Sequence, residues 1–177
     1  MYFNRKQFEQ AIEFYQQALA LERQPLNNPP VQLEILLQIM GLYNLSAIEA
    51  GGKKDYSRAI SQANQTLNLV PKALTIAREI KNPSAEKEVL NIQSDAYSSI
   101  GYFYLNMKEL AKAEEFIQQG LTIARQSGIL KAERNALSYL GGVYIAQGYN
   151  TKVIELGQRE LEITRILKDP SWKYELY

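Results

Sequence analysis

Tyr97-Ser98-Ser99-Ile100-Gly101-Tyr102-Phe103-Tyr104 is answered further along the chain by Leu137-Ser138-Tyr139-Leu140-Gly141-Gly142-Val143-Tyr144, a shift that carries Gly101 onto Gly141. In each copy the first, fourth, fifth and eighth residues follow i, i+3, i+4, i+7 spacing, which places them on one face of a helix. The glycine on that face removes a side chain where a neighbouring helix passes. An interior glycine costs about 1 kcal/mol relative to alanine, and close packing is the expected compensation. Leu121-x-Ile123 recurs as Leu161-x-Ile163 at the same shift.

Each of these helices is followed by a turn and a second amphipathic segment. Ala111, Ala113, Phe116, Ile117, Gly120, Leu121 and Ile123 recur at helical spacing up to Ser127-Gly128, which reads as a helix end. In the next copy Gly148-Tyr149 makes the turn, and Val153, Leu156, Gly157, Leu161 and Ile163 form the expected buried stripe. Asp169-Pro170 then stops the helix, because a residue before proline is biased away from helical geometry.

The pattern resembles the tetratricopeptide repeat family in its longer-period branch of about 40 residues, as in bacterial regulatory and kinesin-light-chain-like arrays. The motif falls on Tyr97, Ile100, Gly101 and Tyr104, again on Leu137, Leu140, Gly141 and Tyr144, and in a weaker copy on Leu37, Met40, Gly41 and Asn44. The resemblance implies an all-α, right-handed superhelix of antiparallel helix hairpins, here with lengthened helices in the middle.

Working outward, Phe8, Ala11, Ile12, Tyr15, Ala18, Leu19 and Leu21 read as the second helix of an incomplete repeat over residues 1–24. A long hairpin is expected over 31–80, turning at Gly51-Gly52, with a kink or break at Pro71. Repeats follow over 84–127 and 131–168. Residues 169–177, with Trp172, Tyr174, Leu176 and Tyr177, read as a tail or the start of a further helix. The interval from Gly41 to Gly101 exceeds that from Gly101 to Gly141 by half a period, a surplus that two registers can absorb. If Leu74-x-Ile76 matches Leu121-x-Ile123, the Gly51-Gly52 hairpin projects by two turns; if Leu67-x-Leu69 is the match, the surplus stacks at the end of that helix and the front of the next.

Composition narrows the chemistry. With no cysteine and no histidine, thiolate nucleophiles, imidazole bases and the usual zinc sites are excluded within this chain. No local pairing of carboxylates suggests catalysis, so no enzyme, metal or cofactor is expected. Lys and Arg total 20 against 19 Asp and Glu, a net charge of +1 that gives no general attraction for nucleic acid or anionic lipid. No apolar run of membrane-spanning length suggests insertion into a bilayer, and a cytoplasmic protein is expected.

The family resemblance implies a partner groove lined by first helices. Carried over residue by residue, it falls on Gln38, Leu42, Ser98, Tyr102, Asn106, Asn135, Tyr139 and Ile145. These positions carry no positive charge, so clamping of acidic tails is not expected. Lys53, Lys54 and Arg58 form the best small cationic cluster, available either to an acidic partner or to solvent. The reading is a scaffold that binds a peptide or helix of another protein. A self-association module acting through open array ends and a small-ligand or peptide sensor are the alternatives.

Overall fold

The computed structural model describes residues 5–21 and 28–167. These form seven helices and no strand: α1 (Arg5–Leu21), α2 (Pro29–Gly52), α3 (Tyr56–Glu79), α4 (Pro83–Asn106), α5 (Leu110–Gln126), α6 (Leu130–Gln147) and α7 (Asn150–Leu167). Trp172, Tyr174, Leu176 and Tyr177 lie outside the described residues.

Local chemistry sets the starts. The Asn28 side chain accepts from the Val31 N–H at 3.4 Å, and Pro29-Pro30 occupy a first turn whose amides have no partner to lose. Asp55 accepts from the Arg58 N–H at 3.2 Å, and Asn82 accepts from the Ala85 N–H at 3.0 Å ahead of α4.

One turn geometry closes all five connections from α2 onward. Lys54, Lys81, Lys108, Gly128 and Gly148 have φ of 63°, 52°, 65°, 61° and 77°. Behind each, the next residue's N–H reaches back into the helix just ended, as from Asp55 to Ala50 O and from Tyr149 to Tyr144 O, both at 2.9 Å. The left-handed residue and this bond satisfy carbonyls that the helix end would otherwise orphan.

These pivots measure the helices. The step from Lys54 to Lys81 equals that from Lys81 to Lys108, and each is longer than the equal steps from Lys108 to Gly128 and from Gly128 to Gly148. Accordingly α3 and α4 have 24 residues each, against 17 and 18 in α5 and α6. Both sequence registers hold, one from each end. Counted from the preceding pivot, Leu67 matches Leu121; counted to the following pivot, Leu74 does. The difference is two added helical turns. Helix α3 passes Pro71 as one unbroken element, with the Thr75 hydroxyl donating to Pro71 O at 2.9 Å.

The chain forms two compact units divided inside α4, between Ala96 and Tyr97. In the first, Leu36, Ile39 and Met40 of α2 bury against Val70, Ala73 and Ala77 of α3 and Val89 of α4. Two turns before its pivot, α2 carries Ala47, at the place held by Gly101 before Lys108. Ala47, Ala50, Ala59 and Ala63 are almost wholly buried, and these small residues let α2 and α3 pack closely. By this count from the pivot, Ala47 rather than the Gly41 of the weaker motif copy stands at the Gly101 position; a Cβ at Gly41 would meet nothing within 4 Å among the described residues. Helix α2 is long and apolar enough to cross a membrane by length and composition, but it also supplies the core of this unit and carries Glu34 and Glu49. In the second unit Ala113, Ile117 and Leu121 of α5 bury against Ala136, Leu137 and Leu140 of α6, joined by Ile163 of α7.

Candidate protein-binding face

In the second unit, the end of α4 and the middle of α6 are drawn together by absent side chains. A Cβ at Gly142 would stand 3.1 Å from Leu105 Cδ2. A Cβ at Gly101 would meet Ala113 O at 2.8 Å and Ile117 N at 2.9 Å, as well as the Ile117 side chain, so α5 lies directly on α4 there. With the helices this close, the Tyr102 and Tyr139 rings stack at 5.0 Å between centroids with planes 33° apart. Tyr102 also meets Phe103 edge-on at 6.0 Å.

Tyr102 is 40% exposed and Ile145, one turn beyond Gly141 on α6, is 65% exposed. Asn106 is exposed, and its Nδ2 donates to Tyr102 O at 2.8 Å, bracing the backbone beneath the ring. Tyr139 and Asn135 are half-buried. Ser98 departs from the sequence expectation. It is 2% exposed, and its hydroxyl has no partner among the described residues, so it is packed inside rather than presented to a ligand.

Gln38 and Leu42 belong to the first unit. Gln38 is exposed, and Leu42 packs partly against the core. On the same stripe of α2, Leu45 and Ile48 are 51% and 59% exposed. Ile48 was not foreseen, although its i+3 spacing from Leu45 marks it. Of the cationic cluster, Lys53 pairs with Glu49, Lys54 is a turn pivot, and the Arg58 backbone N–H serves the Asp55 cap. Two of these residues are thus used in shaping the turn.

Two polar groups of the second unit, at Glu133 and Tyr144, tie helices together. Glu133 of α6 is 4% exposed and accepts from Arg159 Nε and Nη2 of α7, each at 3.1 Å, and from Arg125 Nε of α5 at 3.1 Å. Burial pushes its carboxyl pKa up, but the two guanidinium groups outweigh this and hold it below the usual glutamate value. The Tyr144 hydroxyl donates to Glu114 Oε1 at 3.0 Å; burial and then this bond raise its pKa. Lys152 Nζ lies 4.5 Å from the centre of that ring. Among the described residues no three acidic side chains group as metal ligands. An open cleft of about 250 Å³ in the first unit is lined by Leu33, Leu37 and Ile80 together with Glu34, Asn82, Ser84 and Glu88.

Residues 94–127 and, separately, residues 1–29 match models of the tetratricopeptide repeat. No curated protein matches the sequence. Among solved structures, MamA is 18% identical, with 95% of this chain and 99% of that chain aligned at a TM-score of 0.41. BtubC from P. vanneervenii is 16% identical over 92% of this chain and 75% of that one, at a TM-score of 0.41. A Rap protein complexed with competence and sporulation factor is 12% identical over 96% and 68%, at a TM-score of 0.39.

Proposed function

We propose that this chain, a member of the tetratricopeptide repeat family, is a non-enzymatic cytoplasmic scaffold that holds a peptide or helix of a partner protein on the face of its second unit. The observation that supports this is the stacked Tyr102–Tyr139 pair standing beside exposed Ile145. Tyrosines offer large contact area with little side-chain freedom to lose and a hydroxyl for a partner's backbone. Asn106 and Asn135 flank them without charge, which favours an apolar or amide-rich segment over an acidic tail.

Pull-down of partners by the purified chain, followed by titration of the captured peptide, tests the assignment. Tyr102→Ala and Tyr139→Ala are expected to weaken binding roughly tenfold or more each, about 1.4 kcal/mol, with unchanged helicity by circular dichroism. Unchanged affinity in both folded variants would remove the face from consideration. A second reading, self-association, draws on the exposed Leu45 and Ile48 of α2. Light scattering that shows a monomer across the accessible concentration range rules it out.

A further inference from the structure

Helices α2 and α4 begin alike. Asn28-Pro29 and Asn82-Pro83 each set an asparagine cap before a proline, and each helix carries a glutamate five residues after that proline, Glu34 and Glu88. The positive charge of a helix start fades beyond its first turn, so it does not account for either glutamate. Among the described residues neither carboxylate has a hydrogen-bond or ion-pair partner, whereas Glu86 on the same helix as Glu88 accepts from Arg78 Nε at 2.7 Å.

Both glutamates line the open cleft of the first unit, and both are exposed. Leu33, Leu37 and Ile80 supply its apolar lining, and among the described residues no lysine or arginine lines it. The two helix starts beside it offer little to an anion. Pro29, Pro30 and Pro83 have no N–H, Asn28 and Asn82 cap Val31 and Ala85, and the Gln32 and Glu86 amides bond to the Asn28 and Asn82 carbonyls at 3.0 Å. Two full negative charges therefore set the sign of the cleft.

At about 250 Å³ the cleft is smaller than the roughly 300–1,000 Å³ of small-molecule pockets, and its openness suits one side chain arriving on a backbone. A lysine has the matching parts. Its four-carbon stem covers Leu33, Leu37 and Ile80, while its compact, strongly hydrated ammonium stays in water beside the exposed carboxylates. The Asn82 amide and Ser84 hydroxyl, also exposed in the lining, are placed for the backbone on either side of that lysine.

We propose that this cleft is a docking site for a lysine side chain carried by a segment of a partner protein, with Glu34 and Glu88 as its counter-charges. It lies in the first unit, so the assignment stands or falls separately from the Tyr102–Tyr139 face.

The test is to follow the backbone amide resonances of the isotope-labelled full chain as the blocked pentapeptide Ala-Ala-Lys-Ala-Ala is added. Saturable shifts are expected at Leu33, Leu37, Ile80 and Ala85, with binding that weakens as salt is raised. Norleucine in place of the lysine keeps the stem and removes the charge, and is expected to bind severalfold more weakly. Glu34→Gln and Glu88→Gln are each expected to weaken the lysine peptide about two- to fivefold with circular dichroism unchanged, and Glu115→Gln on α5, also exposed, to leave it unaltered. Equal binding of the two peptides overturns the proposal. So does a lysine peptide that shifts nothing at the cleft, or one indifferent to both glutamine variants there. Putrescine binding more tightly than the lysine peptide overturns it too, and assigns the cleft to a free amine.

Discussion

Gly101 and Gly141 hold the same motif position, yet a methyl group added to each meets different surroundings. At Gly101 it would press on Ala113 O at 2.8 Å and Ile117 N at 2.9 Å, backbone atoms that move only if α5 moves. Gly101→Ala is expected to lower the unfolding free energy by about 2 kcal/mol through overpacking. At Gly141 nothing among the described residues lies within 4 Å, so Gly141→Ala is expected to gain roughly 0.5–1 kcal/mol by removing the glycine's backbone entropy cost. Urea unfolding midpoints of the two variants should move in opposite directions. The motif alone marks both glycines as close crossings. It does not show what stands opposite, and one repeat after Ile117 that residue is Gly157, which has no side chain to fill the space. Ser98 shows the same limit: its position on a presented face is readable from spacing, whereas its burial depends on a neighbouring helix.

At the scale of elements, the helices themselves are legible from apolar periodicity, but their lengths are not. Three of the five left-handed pivots are lysines, a residue type that announces no turn, whereas Gly128 and Gly148 are readable as helix ends. The interval from Gly41 to Gly101 overstates the surplus, because the pivots Lys54 and Lys108 stand closer together than those two glycines do. The added residues divide between α3 and α4. Pro71 sits on an exposed part of α3, where its missing N–H costs one bond without ending a helix held by Val70, Ala73 and Ala77 inside. The lysine pivots also carry a testable strain. An L-residue in the left-handed region costs about 1–2 kcal/mol, partly offset on replacement by the greater freedom of unfolded glycine. Lys108→Gly is expected to stabilise by about 0.5–1 kcal/mol in thermal or urea unfolding, and Gly128→Ala to destabilise by about 1 kcal/mol or more.

Across the whole molecule the charge is nearly balanced at neutral pH, 20 Lys and Arg against 19 Asp and Glu, so net repulsion is small there. The sequence showed part of the candidate face this way: neutral first-helix positions lead to Tyr102, Tyr139, Asn106 and Ile145. Glu133 gave no such signal, because its partners Arg125 and Arg159 lie 8 and 26 residues away and only the stacking of three helices unites them. That burial makes Glu133 the carboxylate on which acid stability should turn. Its folded pKa lies below the unfolded value near 4.5, so the folded state binds fewer protons and stability rises with pH. The contribution is complete above pH 4.5 and is lost as the pH falls from there through the folded value. Glu133→Gln keeps the shape but leaves the guanidinium groups of Arg125 and Arg159 without a countercharge. Because both are partly exposed, the expected loss at neutral pH is about 1–3 kcal/mol, below that of a fully buried pair. Thermal unfolding followed from neutral pH downward should show the wild type losing stability below pH 4.5 and the variant losing less over the same interval. Parallel curves would mean that the acid response arises at other carboxylates.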